Sequence, residues 1–225
     1  MTQEIYSSIS VNGFSNHRDL ERLCLLFAHD VLDWINEGGL PEEVLHYGEQ
    51  DSRFGLQKEK ESVQTVQVGD IRMDVLFSPH TKRDSNHGLN LLAEQLKAAK
   101  ESIDMALFVF SAEQLTNVLR EKIEQGFEIR LVADPGFASR PFSEVLDLLG
   151  VIVPDHTCKV EAGNQPLDQA LKGVGSPRLA RGDKLHHKFA VIDNKTVISG
   201  SFNRSPSAAH TNDETLLVIH SPQLA

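Results

Sequence analysis

The segment LHHKFAVIDNKTVISGSFNRSPSAAHTNDE, Leu185 to Glu214, places imidazoles, cations, small hydrogen-bonding groups and carboxylates within thirty residues. His186 and Lys188 lie two apart, Asp193 follows five after the lysine, and Gly200-Ser201-Phe202-Asn203 comes next. An imidazole beside an ammonium makes a poor core and a good anion site. Near neutral pH the imidazole can attack phosphorus or carry a proton, while the lysine is a point charge for a phosphoryl oxygen. Ser201 and Asn203 add a hydroxyl and an amide, and Gly200 would let the backbone approach a substrate closely.

Strands must position these groups. Leu185 to Asp193 alternates around Phe189, Val191 and Ile192, which predicts a strand, and Asn194-Lys195 before Thr196-Val197-Ile198 predicts a tight hairpin. Side chains two apart in a strand share a face. His186 therefore projects with Lys188, and Ser201 with Asn203, whereas His187 and Asp193 fall on the opposite side. A second histidine-x-lysine, His80-Thr81-Lys82, has His87 where an aspartate should stand and no following GSxN, so it is expected in a surface loop near the mouth of the cleft. His87, His156 and His210 read as isolated packing or solvent-exposed histidines, and His187 is left outside the site.

The spacing H-x-K-x4-D followed by G-S-x-N resembles the signature of the phospholipase D superfamily, carried here by His186, Lys188, Asp193, Gly200, Ser201 and Asn203. Glu214 resembles that family's downstream glutamate. Upstream, Phe77-Ser78-Pro79, Ala98-Ala99-Lys100 and the run from Ser102 through Phe110-Ser111 resemble the opening of its small bacterial nuclease branch, so the likeness spans roughly residues 70–220. The resemblance implies phosphodiester hydrolysis through a phosphohistidine, which needs two histidines: one attacks phosphorus, and the other protonates the leaving oxygen and later activates water. One chain supplies one motif. The resemblance therefore also implies a homodimer with one shared site on a twofold axis. By the same likeness Lys188, Asn203 and Ser201 hold the nonbridging oxygens and Glu214 orients the imidazole, while Asp193, on the wrong face, is structural. No carboxylate cluster suited to magnesium stands in the motif, which implies chemistry without metal or other cofactor.

Net charge is −10, an odd value for a nucleic-acid enzyme until its distribution is counted. Residues 1–57 hold three basic and ten acidic residues, net −7, and the remainder nineteen and twenty-two, net −3. Between Lys172 and Lys188, five cations including Arg178, Arg181 and Lys184 face one Asp183, a basic strip running into the site as a polyanion requires. These features favour a DNA or RNA endonuclease. A phospholipase or cardiolipin hydrolase fits the same site and would want an apolar patch near the cleft, of which residues 154–184 offer little beyond Leu167, Leu171, Val174 and Leu179. A recruitment or sensor module built on a nuclease is a third class; a non-catalytic module would be expected to lack the histidine or lysine.

The fold class expected is α/β, a mixed β-sheet flanked by helices in an α-β-α sandwich resembling phospholipase D, with a small helical N-terminal appendage. Residues 1–57 form that appendage, with Leu20, Leu23, Phe27, Val31, Trp34 and Ile35 at helical spacing before Gly38-Gly39 and a second short helix from Pro41. Residues 58–69 are linker and first strand, within a polar stretch from Gly48 to Val68 read as a mobile connection; residues 70–225 are the catalytic domain. Expected within it are a turn at Gly69-Asp70, a helix from Leu89 into a strand Ile103–Phe110, a helix capped by Ser111 and ended by Gly126, a strand Phe127–Ala133, a helix Phe142–Leu149, and strands Val151–Val153 and Thr215–His220. Cys24 and Cys158 lack zinc spacing. Without an apolar run of membrane length or a signal-like start, a soluble, cytoplasmic protein is expected.

Overall fold

A computed structural model describes residues 55–58, 62–161 and 164–225. The expected appendage, Cys24 included, lies almost wholly outside the described residues. Eight strands form one mixed sheet: β1 (Gln64–Val68), β2 (Ile71–Ser78), β3 (Ile103–Leu107), β4 (Ile129–Ala133), β5 (Val174–Gly175), β6 (Lys188–Ile192), β7 (Thr196–Gly200) and β8 (Glu214–His220). Their order is β1-β2-β8-β7-β6-β3-β4-β5. Among the described residues, the β3–β4 and β4–β5 strand pairs are parallel and the other strand pairs antiparallel. The helices are α1 (Gly88–Ala98), α2 (Glu113–Glu124), α3 (Pro135–Ala138), α4 (Glu144–Leu148) and α5 (Pro206–His210).

Period-two burial in β3 and β4 turns Ile103, Met105, Leu107, Ile129, Leu131 and Ala133 inward, where they meet Leu92 and Leu96 of α1 and Leu115 and Leu119 of α2. Lys188, Ala190 and Ile192 pair with Leu107, Met105 and Ile103 and so share that face of the sheet.

Several boundaries differ from expectation for physical reasons. Val151–Val153 forms no strand, and Val151 and Ile152 are exposed; the edge position goes to Val174–Gly175. There, Gly173 lets the chain come so close to Ile129 O that a Cβ would collide with it. Ser111 does not cap α2: the N-cap is Ala112, without a side-chain acceptor. Strand β3 stops at Leu107, and Phe110 instead makes a parallel bridge to Arg204. Gly126, at φ +82°, follows the end of α2.

The hairpin turn sits one residue earlier than expected. Asp193 and Asn194 take φ of +54° and +50°, and Lys195 N–H donates to Ile192 O at 3.0 Å, the mirror-image two-residue turn whose twist matches the strands it joins. Residues 55–58, within the stretch read as a mobile connection, are docked: Gly55 N–H donates to both Asp213 carboxylate oxygens at 3.2 and 3.0 Å, and Lys58 bonds Asp213 and the carbonyl of Ser78.

The second histidine-x-lysine is split: Lys82 is exposed in a loop as expected, but His80 is 2% exposed and belongs to the interior. His87 and His210 are not isolated either. Their rings meet edge to face at 4.9 Å, His210 Nδ1 lies 2.9 Å from His80 O, and His87 Nδ1 accepts from Asn90 N–H at 3.3 Å as the N-cap of α1. The three histidines join the chain after β2, the start of α1 and the end of α5. That cap requires His87 Nδ1 unprotonated. Burial, then His210 and His80, hold the imidazole below its ordinary range, against Asp84.

Candidate active site

His186 is exposed, but its neighbours are anchored on both sides. Leu185 N–H donates to Asp134 Oδ2 at 3.0 Å, and His187 O accepts from Phe108 N–H at 2.6 Å. Asp134 ends β4, is buried, and caps α3 by accepting from Gly136 and Phe137 N–H at 3.0 and 3.2 Å. The His186 ring lies 4.4 Å from the Phe108 ring, itself edge-on to Phe137 at 4.5 Å. The catalytic histidine candidate is thus set against an aromatic pair, outside the regular strand that begins at Lys188.

Lys188 Nζ stands 3.3 Å from His186 Nδ1 and 3.4 Å from Nε2, straddling the ring instead of binding one nitrogen, and it donates to His186 O at 3.2 Å. It also lies 5.0 Å from the Phe108 centroid. Burial lowers its pKa, Glu214 opposes the shift, and Arg204 adds to it. The expected pairing of His186 with Lys188 on one face is what the chain forms.

Asn203, half-buried, carries its side-chain oxygen buried without a hydrogen-bond partner among the described residues, an orphaned acceptor of the sort functional sites retain. Glu214 opens β8, accepts from Asn212 Nδ2 at 3.1 Å and acts electrostatically on Lys188.

Three other candidates serve the frame. Ser201 Oγ accepts from Thr215 N–H at 3.0 Å, and Ser201 N–H donates to Thr215 O at 3.1 Å, so the hydroxyl's acceptor face belongs to β8. Gly200, read as making room for substrate, makes room for β8: its φ is +126° and a Cβ would collide with Thr215 O. Asp193 sits at the far end of β6, accepting from Lys100 N–H at 2.9 Å, Glu101 N–H at 2.7 Å and Ser102 N–H at 3.0 Å. Burial raises the Asp193 carboxyl, but those three amides and Lys195 outweigh it and hold it below its ordinary value. Arg178, Arg181 and Lys184 are exposed in a segment without helix or strand, and none forms an ion pair among the described residues.

Sequence reasoning missed Phe108, Asp134 and Arg204. Asp134-Pro135-Gly136 after an apolar strand carries a helix-start signal that could have flagged the aspartate. Phe108 was indistinguishable from strand core. Nothing in the sequence marks Arg204 as buried. The donor set around His186 is imidazole, ammonium and amide, and among the described residues no group of three His, Cys, Asp or Glu could hold a metal ion.

Comparison with known proteins bears on the family through sequence and on the fold through structure. The chain is 27% identical over 135 residues to the mitochondrial cardiolipin hydrolase of Mus musculus, covering 60% of this chain and 52% of that protein. It is 29% identical over 134 residues to a phospholipase D of Rickettsia bellii, covering 60% and 56%. The chain thus spans about half the length of these curated relatives. In fold it is similar to Nuc from Salmonella typhimurium, with TM-score 0.51 and 23% identity over 69% of this chain and 87% of that one. NucT from Helicobacter pylori gives 0.50 and 22%, covering 69% and 89%. The sequence model of the family described as "Cardiolipin synthase, PLD-like domain" matches residues 92–225, which include every residue of the site, and the chain belongs to the phospholipase D superfamily.

Proposed function

We propose that this chain is a metal-independent phosphodiesterase, an endonuclease acting on DNA or RNA as a homodimer in which two copies of His186 serve one scissile phosphate. The observation that carries the reading is the His186–Lys188 pair: an exposed imidazole with an ammonium 3.3 Å away, close enough to neutralise an oxygen on the phosphorus that the ring attacks. One His186 nitrogen forms a bond to phosphorus as the phosphorus–oxygen ester bond breaks. The leaving oxygen takes a proton from His186 of the partner subunit. Water, losing its proton to that second imidazole, then attacks the phosphohistidine and returns the first ring to its starting state. Lys188 and Asn203 would bind the nonbridging oxygens, and Glu214 would orient an imidazole. Ser201, whose oxygen already accepts from Thr215 N–H, would offer its hydroxyl proton to a nonbridging oxygen.

The exposed cations Arg178, Arg181 and Lys184 support a polyanionic substrate, since each lies on the segment that leads directly into His186. A second reading, hydrolysis of a phospholipid such as cardiolipin, is favoured by the exposed apolar side chains Val151, Ile152, Val160 and Leu179. Among the described residues no helix is long and apolar enough to cross a membrane.

The test is a substrate panel of single-stranded DNA, duplex DNA, RNA and cardiolipin vesicles, run with and without excess EDTA. Cleavage of a nucleic acid that survives EDTA is expected. Turnover of cardiolipin alone would transfer the assignment to lipid, and loss of all activity in EDTA with recovery on adding magnesium would end the metal-independent mechanism.

A further inference from the structure

Arg204 follows Asn203 directly and is locked in place by its backbone: its N–H donates to Val109 O at 3.2 Å and its carbonyl accepts from Ser111 N–H at 2.8 Å. Its side chain turns into the protein and is 2% exposed. Nη1 donates to Phe202 O at 2.6 Å, while Nη2 is buried without a hydrogen-bond partner among the described residues. No carboxylate forms an ion pair with it there. The guanidinium borders a cavity of about 10 Å³ whose other walls are apolar, among them Leu92, Leu119, Phe110, Ala190 and Ile198. That volume holds one water at most, and such walls give a water little to bind. The fold has therefore placed an uncompensated cation in its hydrophobic core, an arrangement that costs stability relative to a leucine of similar size.

The placement has a consequence at the site. Ala190, in the wall of the same cavity, is two residues from Lys188 on the same face of β6. We propose that Arg204 is a positioning residue for phosphate: a permanently buried cation beneath Lys188 and Asn203 that keeps the cradle electropositive and is compensated only when an anionic phosphoryl group occupies it. The proposal rests on the phosphodiesterase reading. Burial lowers the guanidinium to about 10, so it is charged at neutral pH, and its charge adds to the desolvation that holds Lys188 down. Because the charge is fixed before substrate arrives, it favours the more negative transition state over the ground state without reorganisation.

The test compares Arg204→Leu and Arg204→Lys with the wild-type chain by melting temperature, kcat/KM on whichever phosphodiester the wild type cleaves, inhibition by vanadate, and titration of the Lys188 ammonium by NMR. The leucine variant is expected to melt higher, to lose about tenfold in kcat/KM, to bind vanadate more weakly and to titrate Lys188 upward by about half a pH unit. The lysine variant, whose ammonium burial pulls down further than a guanidinium, should also raise the Lys188 titration, by no more than the leucine variant does. An unshifted Lys188 in the leucine variant would overturn the proposal, as would a lower melting temperature with activity falling only in step with the folded fraction. Should the leucine variant fail to fold, Arg204→Met takes its place in the same NMR titration, and an unshifted Lys188 there would overturn the proposal. The NMR titration needs no turnover, so a wild type inactive on every phosphodiester would sink the functional reading while leaving the electrostatic claim to stand or fall separately.

Discussion

The two ends of the β6–β7 hairpin carry the same sequence motif and opposite physics. At one end Asp193 is saturated, its carboxylate receiving three backbone amides while its own backbone makes the turn. At the other, His186 is exposed, Lys188 is partly desolvated without a hydrogen-bonded carboxylate, and the Asn203 oxygen is buried and orphaned. A closed end holds geometry and an open end keeps unspent binding capacity. The spacing H-x-K-x4-D is therefore one device, in which the aspartate fixes the hairpin that aims the histidine and lysine.

Breaking the open end should cost activity without cost to the fold. His186→Asn is expected to lower kcat by several orders of magnitude with an unchanged melting temperature, because the ring lies outside regular structure and supports no core. Lys188→Ala should lose on the order of a hundredfold to a thousandfold in kcat, the scale of removing one preorganised charge-stabilising group. Breaking the closed end should do the reverse. Asp193→Ala leaves three amides to find new partners and should destabilise by about 1–3 kcal/mol, with activity per folded molecule within a few-fold of wild type. A mutant with intact stability and no activity would make Asp193 a reacting group and erase the contrast.

Strand parity made the open end legible, pairing His186 with Lys188; Asp193 is set apart by its place in the hairpin turn beyond β6, where strand parity does not apply. The sheet and most helices followed from the same periodicity. Parity could not show that Gly200 answers to Thr215 and not to a ligand, because a close approach by another strand leaves no mark in the glycine's own sequence neighbourhood. Nor could it show that His210 meets His80 and His87, since it comes from a segment distant from both in sequence. Val151–Val153 looked like a strand because three β-prone residues follow a helix-ending glycine, yet no neighbouring strand pairs with them.

Away from the hairpin, two buried titrating groups predict opposite and smaller effects of pH. Burial, with Asp147, Glu113 and Glu161 adding, raises Glu144 to about 7 from an ordinary 4.5. Its stability contribution is full below 4.5 and is lost as pH rises through about 7, a change on the order of 3 kcal/mol. His87 is held below 6.5, so its contribution is full above that value and is lost as pH falls beneath it toward the folded-state pKa. Melting curves across pH 5 to about 9 should show Glu144→Gln stabilising by several degrees only on the alkaline side. His87→Asn, which keeps a capping acceptor without a titrating ring, should flatten the acid side alone. If each mutant shifted the whole curve uniformly, neither group would be titrating as described.

The measurement that bears most directly on the shared-site mechanism is the activity of a mixed dimer. Wild-type and His186→Asn subunits carrying different tags would be combined, and the heterodimer isolated by sequential affinity steps and assayed beside both parents. With two imidazoles serving one phosphate, the heterodimer lacks one of them and should be nearly as inactive as the mutant homodimer. A heterodimer that retains about half the wild-type rate would mean that each chain works with its own single histidine, and would contradict the mechanism.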